Sequence, residues 1–210
     1  MNKNVPNILT ISRIICTPIM ILMFLLPINN GIGVFVALGI YLLGCLTDFF
    51  DGKIARKYNL ITDFGKFMDQ IADKFITTSA MILVLFSGHV CVNWIATLMV
   101  LIVVLRDILV SGIRMYAANL NIVIAADMFG KVKSFFLDIA SMILMLFIGL
   151  TGVLGAKAKI GAMPIAYVNY FGLSLMIVGS LLALISAVNY TIKAVKAIKE
   201  KNQSQGAKGE

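Results

Sequence analysis

The sequence predicts an all-α integral membrane protein with six transmembrane helices and both termini in the cytoplasm. Hydrophobic residues make up 60% of the 210 residues and charged residues only 13%, whereas soluble domains are about 45–50% apolar and about 25% charged. The mean hydropathy is +0.96, and the apolar residues form runs of membrane-spanning length. This composition excludes an ordinary soluble enzyme, a disordered chain and a collagen-like chain.

The six predicted helices are the apolar runs of the sequence, which cover residues 8–28, 32–50, 67–87, 90–113, 135–155 and 164–190. At a rise of about 1.5 Å per residue, each run can cross a hydrocarbon core of about 30 Å. The first run has no small-residue cleavage site and no clear basic segment before it, so we expect a retained helix rather than a signal peptide. The connections are short, which predicts one membrane domain over residues 1–192.

The orientation follows from the basic residues. Positive charges concentrate in segments 52–66 and 114–133 and in the tail 193–210, whereas the connections near 28–33 and 87–93 carry none. The positive-inside rule therefore places both termini and the two basic loops in the cytoplasm. We interpret the net charge of +8 as this topology signal and expect no nucleic-acid partner. The polar, basic tail 193–210 is expected to be disordered.

The cysteines and the histidine indicate no chemistry of their own. Cys16, Cys45 and Cys91 lie in apolar stretches without paired spacing, which predicts neither a disulfide framework nor a zinc site. The single histidine, His89, lies in a short connection. We assign it no functional role.

Four acidic residues cluster around the second and third predicted helices. Asp48 and Asp51 are three residues apart, and Asp69 and Asp73 are four apart. Each spacing places both members of a pair on one helix face. Because the linker Gly52–Phe67 is short, the two helices form a hairpin. The four carboxylates are therefore expected to converge just inside the cytoplasmic leaflet.

Such a cluster requires neutralisation, because one Asp at the centre of a span costs roughly 2.5–3.5 kcal/mol and like charges repel. Carboxylate oxygens suit Mg²⁺ or Mn²⁺, and two such ions can stabilise both oxygens of a displacement at phosphorus. The alternative is a metal-free hairpin balanced by Lys53, Arg56, Lys66 and Lys74. Gly52, Ala55 and Gly65 lack bulk beside the cluster, so a phosphate could approach closely there, and Arg56 could bind it.

The acidic segment resembles the signature of the CDP-alcohol phosphatidyltransferase family. All eight fixed positions of that signature match, namely Asp48, Asp51, Gly52, Ala55, Arg56, Gly65, Asp69 and Asp73. The segment Pro6–Arg13, the pair Arg106–Asp107 with Arg114, and the run Gly130–Ser134 resemble one branch in particular, the bacterial phosphatidylglycerophosphate synthases. The resemblance covers nearly the whole chain.

The resemblance implies a transfer reaction on CDP-diacylglycerol with two divalent metal ions, Mg²⁺ or Mn²⁺. By matching position, Asp48, Asp51 and Asp69 are implied metal ligands, and Asp73 is implied to be both a ligand and the general base. Gly52, Ala55, Arg56 and Gly65 are implied to line the CDP site. The family resemblance also implies a multi-pass protein of the bacterial inner membrane, with its active site facing the cytoplasm, and a homodimer.

The second substrate is predicted from the remaining polar residues. A phosphorylated acceptor needs cations, and those available beyond the signature are Arg106, Arg114, Lys131 and Lys133. Asn7, Thr10 and Arg13 are spaced by three and are expected at the edge of the substrate site. The branch implied by the resemblance joins sn-glycerol 3-phosphate to CDP-diacylglycerol, with phosphatidylglycerophosphate and CMP as products.

Several alternatives stay open at this point. Gln70 stands where that branch usually has Pro, which weakens the choice of acceptor, and phosphatidylglycerol, inositol phosphate or serine are the competing acceptors. Lys131 and Lys133 could serve only as topology flanks, and Arg106 could form an intramembrane ion pair with Asp107. Asp138 has no assigned role and is expected to pair with a basic residue. A small cation transporter is a competing class, although no internal repeat is visible, and a membrane scaffold would need no clustered acids.

Overall fold

A computed structural model describes residues 5–26, 31–57, 63–90, 92–120, 122, 128–155 and 162–206. These residues form six α-helices: α1 Val5–Leu25, α2 Ile32–Lys57, α3 Asp63–Phe86, α4 Asn93–Asn119, α5 Met128–Leu154 and α6 Ala162–Gly206. The helices coincide in order with the six apolar runs, so the all-α prediction is confirmed for the described part of the chain.

Three helical segments are long and apolar enough to cross a membrane, namely Asn93–Ala117, Val132–Leu154 and Tyr167–Lys201. Two further apolar helical segments are shorter, Ile11–Leu25 and Ile32–Asp48. Large apolar side chains such as Leu43, Ile108 and Phe135 are mostly exposed. A soluble monomer rarely exposes so much contiguous apolar surface, but a lipid-facing helix does.

The helices around the acidic segment extend further than hydropathy predicts. Helix α2 continues to Lys57, past the predicted end at residue 50, and α3 begins at Asp63 rather than at residue 67. Hydropathy detects only the apolar part of a helix, whereas Ala, Lys and Arg beyond it are good helix formers. As a result, the signature residues from Asp48 to Arg56 all lie on one helix.

The chain divides into two compact units, and the first comprises Met1–Asn93 and Asp138–Leu173. In it, α1 contacts both α2 and α3, and α2 contacts α3. Met20, Tyr41 and Ile76 are buried in its core. This unit contains the whole acidic signature.

Glycines set the packing of α2 and α5 in the first unit. Gly31 has a φ of 110°, and a Cβ placed there would lie 2.9 Å from the Gly149 carbonyl oxygen and 3.0 Å from the Gly152 Cα. A Cβ on Gly149 would lie 3.1 Å from the Phe35 ring. Close approach of the two backbones here therefore depends on residues without a side chain.

The second unit comprises Trp94–Leu137 and Ser174–Glu210. It combines α4 with the beginning of α5 and most of α6, and Val103, Val110 and Leu137 are buried in it. This unit contains the predicted acceptor cations Arg106, Arg114, Lys131 and Lys133.

The basic tail differs from the expectation of disorder, because α6 continues as a helix to Gly206. Residues 193–201 are rich in Lys, Ala and Glu, which favour helix. The Lys201 ammonium also donates to the carbonyl oxygen of Leu120, next to the end of α4. Residues 207–210 lie outside the described residues.

Candidate active site

The acidic residues lie on α2 and α3 as the spacing predicts. Asp48 and Asp51 are one turn apart on α2, and Asp69 and Asp73 are one turn apart on α3. The side chain of Asp48 is 42% exposed, and Asp73 is also exposed. The side chains of Asp51, Gly52, Ala55, Arg56, Gly65 and Asp69 lie outside the described residues, so convergence of all four carboxylates stays a prediction.

Gly44 brings α2 and α3 together one turn from the two described acids. A Cβ on Gly44 would lie 2.5 Å from the Ile76 Cδ1 atom, and Ile76 is buried. Asp48 follows Gly44 by four residues, and Asp73 precedes Ile76 by three. The contact therefore places Asp48 and Asp73 at the same level of the hairpin.

The Asp48 carboxylate is bound by an arginine of α1. The Arg13 Nη1 atom lies 2.5 Å from the Asp48 Oδ1 atom, and the Arg13 side chain is only 2% exposed. Thr17 donates from Oγ1 to the Arg13 carbonyl oxygen over 2.9 Å. A guanidinium cannot lose its charge in a protein, so a buried arginine needs an anionic partner. Arg13 was predicted at the edge of the substrate site, and the structure places it directly on the first acid of the signature.

The other two residues predicted at that edge, Asn7 and Thr10, have side chains outside the described residues. Within the described part of the chain, no three His, Cys, Asp or Glu side chains form a metal-binding group. The side chains of Asp51 and Asp69 are not among the described residues, so this result does not test the four-carboxylate cluster. The described acids do offer hard oxygen donors of the kind that Mg²⁺ and Mn²⁺ accept.

A second polar cluster lies on α4, α5 and α6 in the second unit. Asp107 accepts a hydrogen bond from Arg106 over 2.8 Å through its Oδ1 atom, and the same oxygen accepts one from the Lys133 ammonium. Arg106 also donates from Nη2 to the Ser186 Oγ atom over 2.7 Å and from Nε to the Ala183 carbonyl oxygen over 3.2 Å. The ion pair between Arg106 and Asp107, which the sequence left open as an alternative to acceptor binding, is observed, and Lys133 joins it.

The remaining predicted acceptor cations are placed differently. Arg114 is exposed, and its Cζ atom lies 5.8 Å from the centre of the Tyr190 ring, a cation–π distance. The Lys131 side chain lies outside the described residues. The structure therefore brings Arg106 and Lys133 together, and it places Arg114 two turns further along α4.

Sequence reasoning missed the partners of these charged groups. Asp107 and Lys133 are 26 residues apart, Arg106 and Ser186 are 80 apart, and no local spacing signals such pairs. The only available signal for Ser186 was a hydroxyl within an apolar run. Asp138 accepts a hydrogen bond from the Tyr41 hydroxyl over 2.9 Å, a partner that sequence reasoning did not find, and its pairing with a basic residue stays a prediction.

The sequence profile of the CDP-alcohol phosphatidyltransferase family matches residues 3–185 of the chain. The chain belongs to the CDP-alcohol phosphatidyltransferase family. The match extends into both units and includes all eight signature residues, so the family prediction from Asp48–Asp73 is confirmed.

Relatives within the family carry one enzyme name. The chain is 35% identical to a Rickettsia felis protein over 195 residues, which is 93% of this chain and 97% of the relative. It is 33% identical to an Escherichia coli (strain K12) protein over 192 residues, 90% of this chain and 94% of the relative. Both relatives are named CDP-diacylglycerol–glycerol-3-phosphate 3-phosphatidyltransferase. Similarity to these family members thus extends well beyond the signature.

Proposed function

We propose that this chain transfers a phosphatidyl group from CDP-diacylglycerol to sn-glycerol 3-phosphate, forming phosphatidylglycerophosphate and CMP. The observation that carries the proposal is the similarity to relatives of that name at 33–35% identity over at least 90% of the chain. The signature with its eight matching residues supports the same reaction. The function predicted from sequence agrees with these comparisons.

In the proposed reaction, the acceptor hydroxyl oxygen forms a bond to the β-phosphorus of CDP-diacylglycerol. The bond from that phosphorus to the bridging oxygen breaks, and CMP leaves with the electron pair. Asp73 takes the hydroxyl proton, a role its exposed carboxylate on α3 permits. Binding both substrates at one site supplies the in-line orientation that a displacement needs.

We propose Asp48, Asp51, Asp69 and Asp73 as the residues that hold two divalent cations, Mg²⁺ or Mn²⁺. Such ions would offset the charge of the pyrophosphate and of departing CMP. Arg13 binds one oxygen of Asp48, so it orients that carboxylate. Gly52, Ala55, Arg56 and Gly65 are proposed to contact the CDP group.

The described cations favour a phosphorylated acceptor. Arg106 and Lys133 share a single carboxylate, Asp107, so this cluster has a formal net charge of +1. Positive charge is costly in a membrane domain, and a ligand phosphate would offset it. We therefore propose that this cluster, with Arg114 and Lys131, binds the phosphate of sn-glycerol 3-phosphate. Phosphatidylglycerol, one of the acceptors that the departure at Gln70 leaves open, is the second candidate.

We further propose that all six helices span the bacterial inner membrane, that both termini and the active site face the cytoplasm, and that the protein is a homodimer. The three long apolar segments support membrane insertion. Four lysines on the α6 extension, Lys193, Lys196, Lys199 and Lys201, support a cytoplasmic C-terminus. Cysteine accessibility at each loop would test the topology, and light scattering of the purified protein would test the dimer.

The deciding experiment is CMP release by purified protein with CDP-diacylglycerol and Mg²⁺. Glycerol 3-phosphate, inositol phosphate, phosphatidylglycerol and serine are offered in turn, and chelation by EDTA tests the metal requirement. We expect release only with glycerol 3-phosphate and added metal. Release with another acceptor would keep the family chemistry and overturn the acceptor. Cation flux in liposomes without CMP release would favour a transporter.

A further inference from the structure

We propose that Asp107 is a positioning residue that fixes Lys133 and Arg106 as one binding group for the acceptor phosphate. The inference rests on the proposed function, since it concerns how that acceptor is bound. Asp107 is not a signature residue. From sequence, an ion pair with Arg106 was left open as one alternative, and Asp107 was given no role in binding.

The geometry of Asp107 supports this role. Its Oδ1 atom accepts from Arg106 on the same helix, α4, and from Lys133 on α5. One oxygen therefore sets the separation of two cations that lie 27 residues apart in the sequence (133 − 106). Without this bridge, a flexible lysine stem would sample many rotamers, and ordering it on ligand binding would cost free energy.

The Arg106 guanidinium is held on three sides. Its Nη1 donates to Asp107, its Nη2 to Ser186 and its Nε to the Ala183 carbonyl. A guanidinium has five N–H groups, so at most two remain for a ligand once these three bonds form. Both remaining groups are on the terminal nitrogens, which suits the forked binding of a phosphate.

The burial of the cluster separates it from ordinary surface ion pairs. The side chains of Arg106 and Lys133 are only 10% and 6% exposed, whereas that of Asp107 is 24% exposed. The backbone of α5 comes close beside them at Gly130, where a Cβ would lie 3.5 Å from Ser186 Oγ and 3.9 Å from Arg106 Nη2. Buried cations of this kind form strong, charge-assisted hydrogen bonds to an anionic ligand such as a phosphate.

Positioning and simple charge compensation make opposite predictions for Asp107. If Asp107 only offsets positive charge, removing it strengthens phosphate binding, because a nearby negative charge is lost. If Asp107 positions Lys133 and Arg106, removing it weakens phosphate binding despite that gain. The sign of the change in KM for glycerol 3-phosphate therefore distinguishes the two roles.

The test compares Asp107→Ala and Asp107→Asn with the matched variant Asp138→Ala, which removes a membrane carboxylate that accepts from neutral Tyr41. We expect Asp107→Ala to raise the KM for glycerol 3-phosphate about tenfold, equal to about 1.4 kcal/mol, with the KM for CDP-diacylglycerol changed less than twofold. Asp107→Asn keeps an oxygen acceptor and should show a smaller rise. Asp138→Ala should leave the ratio of the two KM values unchanged.

A second readout needs no turnover. In protein without added metal, glycerol 3-phosphate should raise the unfolding temperature of the wild type and of Asp138→Ala, and raise it less in both Asp107 variants. A lower KM for glycerol 3-phosphate in Asp107→Asn, or equal changes in both KM values, would overturn the inference. If Asp107→Ala does not fold, the sign of the change in the KM for glycerol 3-phosphate in Asp107→Asn decides between the two roles. If CMP release by the wild type does not depend on glycerol 3-phosphate, the proposed function is refuted instead.

Discussion

Replacing Arg13 by Gln tests whether the first acid of the signature is held in place from α1. The substitution removes the 2.5 Å ion pair with Asp48 and the charge of a side chain that is 2% exposed. A hydrogen bond to a charged group contributes about 1.5–3 kcal/mol. Breaking a fully buried pair costs about 3–5 kcal/mol because the remaining charge is stranded. Asp48 is 42% exposed and stays partly hydrated, so the lower range applies.

We therefore expect Arg13→Gln to lower the free energy of unfolding by about 1.5–3 kcal/mol and CMP release by roughly 10–100-fold, the usual effect of losing a group that orients a metal ligand. The rate is measured as CMP release in detergent–lipid micelles, and Mn²⁺ binding is measured by electron paramagnetic resonance. Thr17→Ala is the matched control, since it loses a neighbouring 2.9 Å bond to the Arg13 carbonyl but leaves the guanidinium in place. If Arg13→Gln keeps the CMP release rate and the Mn²⁺ affinity of the wild type, the reasoning is refuted.

Three further substitutions test other parts of the structure. Asp73→Asn should abolish CMP release but retain most CDP-diacylglycerol binding, measured by equilibrium binding of labelled lipid, and near-normal turnover would exclude Asp73 as the base. Tyr41→Phe removes the 2.9 Å donor to Asp138 and should destabilise the protein by about 1–3 kcal/mol; an unchanged thermal unfolding midpoint would show that this bond contributes little. Gly31→Ala forces a side chain into a φ of 110° and should destabilise by about 1–3 kcal/mol. Gly112→Ala, with no atom within 4 Å of its new Cβ, should not destabilise.

The sequence could predict the helices because their signal is local. Runs of apolar residues and the three- and four-residue spacings of Asp48, Asp51, Asp69 and Asp73 are properties of single helices. Helix ends beyond the apolar region were less predictable, since the continuation of α2 to Lys57 and of α6 to Gly206 depends on helix propensity rather than hydropathy. The family signature was also local, because it occupies 26 consecutive residues.

The contacts between helices could not be predicted in the same way. The Arg13–Asp48 pair joins residues 35 apart, and the Tyr41–Asp138 bond joins residues 97 apart. Which residues meet across such distances depends on how the helices pack, and packing is set by shape at positions such as Gly44 and Gly149. Sequence reasoning therefore identified the charged residues but not the side chains that Arg13 and Asp138 contact on other helices.

The ion pairs indicate that these charged residues serve function rather than stability. A lipid-facing helix bundle can be built from apolar and small residues alone, and a buried ion pair is often no more stabilising than apolar side chains of the same volume. In the described part of the chain, Arg13 pairs with an acid of the signature, and Arg106 and Lys133 share Asp107. Charges that add little stability in a membrane domain are expected where a ligand needs them. Their positions thus agree with the proposal of one ion pair beside the acids proposed to bind metal and one cluster that binds an anionic substrate.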